Sequence, residues 1–254
     1  MDARFVGHPL ADAFALEPDR AAARVALALP ADGKLIALLP GSRLGEIKKL
    51  GADFLRASAL LLGERPKLKF VAPMANAACR KAFSRQLDAV NAEYPNVMLR
   101  EAMHLLDGRA HEALIASDVA LLASGTAALE AMLAKRPMVV GYRVARTTQA
   151  IVRGLNMLKV PRYSLPNILH AAVRMPQAQD AQDRSLAGEA LVPELIQGDC
   201  TPRALADAVL AWLDEPARVD AVVSRFRELH LELRRDASAL AAEAIDELIA
   251  EPRP

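Results

Sequence analysis

Val119-Ala120-Leu121-Leu122-Ala123-Ser124-Gly125-Thr126-Ala127-Ala128-Leu129-Glu130 is the stretch that decides the fold of this chain. Five apolar residues, a Ser-Gly turn and an alanine-rich run read as a buried strand, a tight turn and the start of a helix. That geometry gathers free backbone N–H groups and the positive end of a helix dipole at one point. Such points bind anions, phosphate above all. Thr126 and Glu130 are four apart and share a helix face. A phosphate at the turn and a carboxylate one turn further on suit a nucleotide, the acid accepting hydrogen bonds from ribose hydroxyls. The same residues also fit an ordinary capped α/β helix with a surface glutamate, and the segment alone leaves both readings open.

Outward from this stretch, short apolar runs alternate with helical patterns. Runs at 35–39, 68–72, 96–100, 118–123 and 137–142 read as strands, and segments at 46–62, 76–93, 109–116 and 125–135 read as helices. Strand and helix alternating at this spacing predict a parallel sheet with helices on both faces. The run at 35–39, and that at 118–123 once past Asp118, are apolar rather than alternating, as central strands are. Ligands of such sheets sit beyond the carboxyl ends of the strands, where the loops 40–45 and 124–126 fall. Residues 5–18 show no clear element and read as an entry linker. The polar segment 176–190 reads as a mobile loop. Thr201-Pro202 start a helix to about Leu213, and Pro216 starts a long, charge-rich amphipathic helix that runs almost to the end.

Composition narrows the function classes. At 254 residues, 53% hydrophobic and 25% charged, the chain suits a globular protein of one large domain, or one domain with a tail. Aromatics are only 4%, so Ala, Leu and Val must fill the core. A net charge of +1 argues against nucleic acid as a partner. Cys79 and Cys200 are too few for a disulfide framework or a zinc site, and a reducing cytosol is the simplest setting. Met1-Asp2-Ala3-Arg4 leads straight into Phe5-Val6-Gly7 with no signal-peptide pattern. No run reaches the roughly 18 apolar residues of a membrane-spanning helix, so membrane contact is expected to be peripheral.

The common nucleotide signatures are missing. Gly41 and Gly45 make no G-x-G-x-x-G, and there is no G-x-x-x-x-G-K-[ST], which disfavours a dinucleotide dehydrogenase and a P-loop ATPase. No His, Asp and Glu have convincing metal spacing, so phosphate charge is expected to be met by Arg43 and helix dipoles. Pro40-Gly41-Ser42-Arg43 follows the first strand; the glycine permits close backbone approach and Arg43 offers a planar fork for phosphate oxygens. It also fits a tight turn with an exposed arginine. From Ala131 to Gln179 there is no acidic residue, while Lys135, Arg136, Arg143, Arg146, Arg153, Lys159, Arg162 and Arg174 are basic. With Ile151, Val152, Leu155 and Leu158 this suits an anionic membrane surface or a phosphorylated, acylated substrate, or else a basic solvated helix. Asn167, Glu194 and Gln197, in proline-punctuated turns, have groups for sugar hydroxyls or for buried structural bonds. His8 and His104 read as structural.

Six segments together resemble the lipid-A-disaccharide synthase family. They are Phe5-Val6-Gly7-His8-Pro9-Leu10-Ala11-Asp12, Leu38-Leu39-Pro40-Gly41-Ser42-Arg43, Ala123-Ser124-Gly125-Thr126-Ala127-Ala128-Leu129-Glu130, Pro137-Met138-Val139-Val140-Gly141-Tyr142, Ser164-Leu165-Pro166-Asn167 and Val192-Pro193-Glu194. The resemblance implies a GT-B glycosyltransferase of family 19, with two Rossmann-like domains and an active site between them. It implies transfer of 2,3-diacylglucosamine from UDP to 2,3-diacylglucosamine 1-phosphate, peripheral on the cytoplasmic face of the inner membrane and without cofactor or metal. This chain would be its linker (1–29), its UDP-sugar-binding Rossmann-like domain (30–200) and its C-terminal helices (201–254). Gly41, Ser42, Arg43, Ser124, Gly125 and Thr126 would hold the UDP phosphates, Glu130 the ribose, and Asn167, Glu194 and Gln197 the donor sugar.

Two departures from the family pattern stand out. The family's amino-terminal domain, with the acidic residue thought to act as general base, is not in this sequence, so the chain alone is expected not to catalyse transfer. The segment 176–190 is longer than the family pattern. Two other readings keep the same sheet: a UDP-N-acetylglucosamine 2-epimerase-like GT-B enzyme, working on a soluble sugar nucleotide, and a non-catalytic UDP-binding fragment.

Overall fold

The computed structural model describes residues 4–143, 162–174 and 190–250. Leu35–Leu39 (β1) and Val119–Ala123 (β4) are buried at every position, which is why both runs are apolar rather than alternating. They pair in parallel, Ile36 opposite Val119 through Leu39 opposite Leu122. Lys69–Met74 (β2) and Met103–Asp107 (β3) extend the sheet on the β1 side, and Met138–Tyr142 (β5) and Glu194–Ile196 (β6) on the β4 side. The order is β3-β2-β1-β4-β5-β6, parallel throughout. Strand order therefore reverses between β1 and β4, and the chain leaves these two strands toward opposite faces. A crevice opens at their carboxyl ends, the place where doubly wound sheets bind ligands.

Pro9–Ala13 (α1) and Arg20–Ala26 (α2) precede the sheet; Leu44–Glu64 (α3), Ala77–Glu93 (α4), Leu99–Ala102 (α5), Ala110–Ala116 (α6) and Thr126–Leu133 (α7) lie between strands. Leu165–Arg174 (α8) precedes β6, and Pro202–Asp214 (α9), Pro216–Leu233 (α10) and Ala237–Ala250 (α11) follow it. α3 packs with α4 and α9 on one face, and α6 with α2 and α7 on the other. Phe54, Phe70, Phe83 and Trp212 are fully buried among Leu, Val and Ala. The Trp212 indole donates to Met138 O at 3.0 Å, fixing α9 to β5.

The structure corrects four sequence expectations. The third strand is not at 96–100. Leu99–Ala102 forms one helical turn there, and the strand starts at Met103. This edge strand is only partly buried, and His104 and Asp107 break its apolar run. Second, 5–18 is not without structure, because Pro9–Ala13 is a helix capped by His8, whose Nδ1 accepts from Leu10 N–H at 3.2 Å. His8 N–H donates to Leu233 O at 2.9 Å, seating the segment on α10. Third, the two proline-punctuated turns are regular elements: Glu194–Ile196 is a strand, and Asn167 lies in the helix Leu165–Arg174. Fourth, the long C-terminal helix is two helices. Asp236 takes a left-handed φ of +57°, and its N–H and that of Ala237 donate to the Asp12 carboxylate at 2.9 and 2.7 Å. Those backbone bonds, that from Ala237 foremost, hold the Asp12 carboxyl below the usual range.

The segment 176–190, except Ala190, lies outside the described residues, as do Arg146, Arg153, Lys159 and the apolar positions 151, 152, 155 and 158.

Candidate functional site

A cleft of about 380 Å³ lies at the carboxyl ends of β1, β2 and β4, bounded by Gly41, Arg43, Met74, Gly125, Thr126 and Glu130. Gly125 is the N-cap of α7, and among the described residues no side chain caps this helix. The amides of its first turn, Thr126 and Ala127, thus have no intrahelical partner and face the cleft with the positive dipole end behind them.

The β1–α3 loop is built differently. Glu46, in the first turn of α3, folds back so that Oε2 accepts from Ser42 N–H at 2.8 Å and Arg43 N–H at 3.2 Å. This capping arrangement works because Gly41 holds φ +134°; a Cβ there would sit 2.3 Å from Glu46 Cβ. The two amides expected to cradle a phosphate are therefore already given to a carboxylate. The Arg43 side chain is 85% exposed and meets Glu46 Oε1 only at 3.4 Å, so its fork is available to an incoming anion.

Glu130 sits half-buried one turn into α7, on the cleft wall. Burial pushes its carboxyl above the ordinary glutamate value, and nearby His111 opposes this. Among the described residues its oxygens have neither a hydrogen bond nor an ion pair. A desolvated, unpaired carboxylate in a cleft marks a place where a ligand supplies the missing donors.

Ser124 lies at the inner end of the cleft. Its N–H donates to Gly141 O at 3.1 Å and its hydroxyl to Tyr163 O at 3.1 Å. Tyr163 stacks on Tyr142 with ring centroids 6.2 Å apart. Behind this pair, Glu194 accepts from Tyr163 N–H at 3.0 Å, Ser164 N–H at 2.8 Å, Ser164 Oγ at 2.6 Å and Asn167 Nδ2 at 2.8 Å. Asn167, 1% exposed, also donates to Val192 O and accepts from Val192 N–H. Asn167 and Glu194 thus form a saturated network that fixes the start of α8 and the approach to β6 beside Ser124. Gln197 turns the chain after β6 with φ +54°, its N–H donating to Tyr142 O at 2.8 Å.

Gly41, Ser42, Arg43, Ser124, Gly125, Thr126 and Glu130 are thereby gathered around one cleft. Asn167, Glu194 and Gln197 belong to the neighbouring β5–β6 edge. Sequence reasoning missed the loop after β3, which brings Gly108 and Ala110 to the cleft and His111 toward Glu130. Placing the third strand at 103–107 would have found it, since that loop then ends at the same sheet edge.

A family model described as lipid-A-disaccharide synthetase matches residues 1–247. The lipid-A-disaccharide synthase of Xanthomonas campestris pv. campestris (strain 8004) is 49% identical over 249 residues, 98% of this chain and 52% of the relative. That of Xylella fastidiosa (strain 9a5c) is 47% identical over 249 residues, 98% of this chain and 59% of the relative. The chain spans about half the length of the curated relatives it matches. Among solved structures, WaaG, a glycosyltransferase involved in lipopolysaccharide biosynthesis, superposes with a TM-score of 0.54 at 14% identity, covering 92% of this chain and 52% of that one. At that identity the likeness speaks for the fold, and the sheet is the Rossmann-like half of a GT-B architecture, as expected.

Proposed function

Because the chain belongs to the lipid-A-disaccharide synthetase family, we propose that it is the donor-binding half of a lipid A glycosyltransferase. The reaction is transfer of 2,3-diacylglucosamine from UDP to 2,3-diacylglucosamine 1-phosphate, giving the lipid A disaccharide 1-phosphate and UDP. The observation that carries this reading is the uncapped start of α7 at the switch point, with the Arg43 fork and the unpaired Glu130 at the same cleft.

The diphosphate lies against the Thr126 and Ala127 amides, and Arg43 leaves its long contact with Glu46 to close on it. As the bond to the sugar breaks, negative charge grows on the UDP oxygens, where the helix dipole and the guanidinium already point. Glu130 accepts from the ribose hydroxyls, which supply the donors its carboxylate lacks. Gly41 acts by letting Glu46 set the loop, and the Ser42 amide stays with Glu46 rather than with phosphate. Asn167 and Glu194 position Tyr163 and Ser124 at the sugar end, with Gln197 at the rim of the β5–β6 edge.

On this reading the described residues bind the donor, and none of them is assigned the role of general base. Residues 1–29 serve as the entry segment, 30–200 as the nucleotide-binding unit and 201–254 as closing helices. No helix among the described residues is long and apolar enough to cross a membrane. The basic stretch after Tyr142 would hold the protein peripherally on the cytoplasmic face of the inner membrane, near its acylated substrates. Family membership removes the ground for the epimerase reading.

Calorimetric titration with UDP, with ADP as the control, tests the proposal. Selective UDP binding is expected, weakened in Arg43→Ala by about 1.5–3 kcal/mol, the range for a hydrogen bond to a charged group. Equal affinity for UDP and ADP, or no effect of Arg43→Ala, would overturn it.

A further inference from the structure

At the opposite end of the sheet, beneath the amino-terminal ends of β4 and β5, a second cavity of about 350 Å³ opens. The length of β4 separates it from the nucleotide cleft, roughly 15 Å at the rise of a strand. Five basic side chains line it (Arg20, Lys34, Lys135, Arg136 and Arg227), against two carboxylates, Glu17 and Asp118. Their pairing is uneven. Asp118 is shared by Arg20, Lys34 and the neighbouring Arg24, and Arg227 pairs with Glu17.

Among the described residues neither Lys135 nor Arg136 forms an ion pair, although Glu17 lies near the first and Asp118 near the second. Lys135 Nζ donates to Leu133 O at 2.8 Å and to His230 Nδ1 at 2.6 Å, while His230 Nε2 donates to Ala11 O at 2.8 Å. Both partners of the ammonium are therefore neutral. Among the described residues Arg136 makes no side-chain hydrogen bond, and its Nε is buried without a partner. Burial, reinforced by Arg20, pushes its pKa down to about 10, and burial pushes that of Lys135 down to about 8. A desolvated guanidinium with no bonded partner, offset only by the charge of Asp118 nearby, is costly, and a bound anion lowers the cost. The opposite wall, Trp212, Val219 and Val223, is apolar, and the volume admits an organic group behind the anion.

We propose that this cavity is a second ligand site, taking the phosphate group of a phosphorylated molecule on Arg136, with Lys34 and Arg20 at its mouth. Five cations against two carboxylates leave an excess that suits a phosphate dianion better than a single carboxylate. The forked donors of Arg136 and Arg20 match its several oxygens. This site is separate from the proposed UDP cleft and does not depend on it.

Trp212, the only tryptophan of the chain, lines this cavity and not the nucleotide cleft; it also borders the cavity beside Arg218 and Arg225, so loss of its response in Arg136→Met is what places the ligand at this site. The 254-residue chain is titrated with inorganic phosphate at constant ionic strength. A saturable change in Trp212 emission is expected, present with UDP saturating and in Arg43→Ala, and lost in Arg136→Met. That variant removes an unpaired buried charge, so it should melt no lower than the parent in phosphate-free buffer. Lys34→Ala, at the solvent side, should weaken the response several-fold without touching the core. Displacement of phosphate by phosphatidic acid vesicles, and not by phosphatidylcholine vesicles, assigns the phosphate to a lipid headgroup; no displacement assigns it to a soluble molecule. Absence of a saturable response, or an unchanged response in Arg136→Met, overturns the proposal.

Discussion

Gly41→Ala probes the β1–α3 loop where the geometry leaves least room. The new Cβ would lie 2.3 Å from Glu46 Cβ and 2.5 Å from Glu46 Oε2, at a φ of +134°. Two costs follow. Holding a non-glycine residue in that region costs about 1–3 kcal/mol. Driving Glu46 off the Ser42 and Arg43 amides loses a cap worth about 0.5–2 kcal/mol. The expected loss is about 2–4 kcal/mol, which for a chain of this size lowers the melting midpoint by roughly 4–16 °C. Thermal and urea unfolding followed by circular dichroism measure it. Glu46→Gly removes both the obstructing Cβ and the cap, so in that background Gly41→Ala should cost only the backbone part. The double-mutant cycle should then show a coupling of about 0.5–2 kcal/mol. A Gly41→Ala midpoint equal to that of the parent, or the same cost in both backgrounds, would refute the reasoning.

Three further outcomes are expected. Burial raises the Glu130 pKa, so the ionised carboxylate costs stability that is lost as pH rises through the folded pKa. Glu130→Gln should therefore raise the melting midpoint at neutral pH, show no gain below about pH 4, and weaken UDP binding in calorimetry. Asn167→Ala strips Val192 N–H and C=O of their partners and takes a donor from Glu194. Urea titration should show a loss of about 2–4 kcal/mol, with the UDP affinity of the folded chain unchanged. Burial lowers the Lys135 pKa from 10.5 to about 8, so the protonated amine destabilises the fold fully below pH 8, and stability recovers as pH rises toward 10.5. Lys135→Met should stabilise by at most about 3 kcal/mol at neutral pH, a gain that shrinks across that window in pH-dependent melts.

Where local chemistry sets structure, the sequence was readable. Leu35–Leu39 and Val119–Ala123 are apolar at every position because both faces of the sheet are covered, and the Ser-Gly turn after β4 breaks the chain where the helix begins. Partners distant in sequence set the parts that were misread. Nothing near Asp236 announces a break, since neither glycine nor proline stands there; Asp12, from the other end of the chain, caps the new helix. β6 has three residues, too few for a pattern, and is held by its pairing to β5. Arg43 was visible as a candidate because loop and helix adjoin. That Glu46 already occupies the neighbouring amides follows from side-chain geometry alone. Asn167 and Glu194 carry polar groups that suit a sugar, yet long-range bonds to Val192 and to the start of α8 saturate them.

Backbone amide chemical shifts of the 15N-labelled chain, followed through a UDP titration, test the placement of the diphosphate most directly. Binding as proposed shifts the Gly125, Thr126 and Ala127 amides most, with a smaller effect on Ser42 and Arg43, whose N–H groups remain with Glu46. Largest shifts at Ser42 and Arg43 with α7 undisturbed, or no shift at either loop, would contradict a donor site built on the open start of α7.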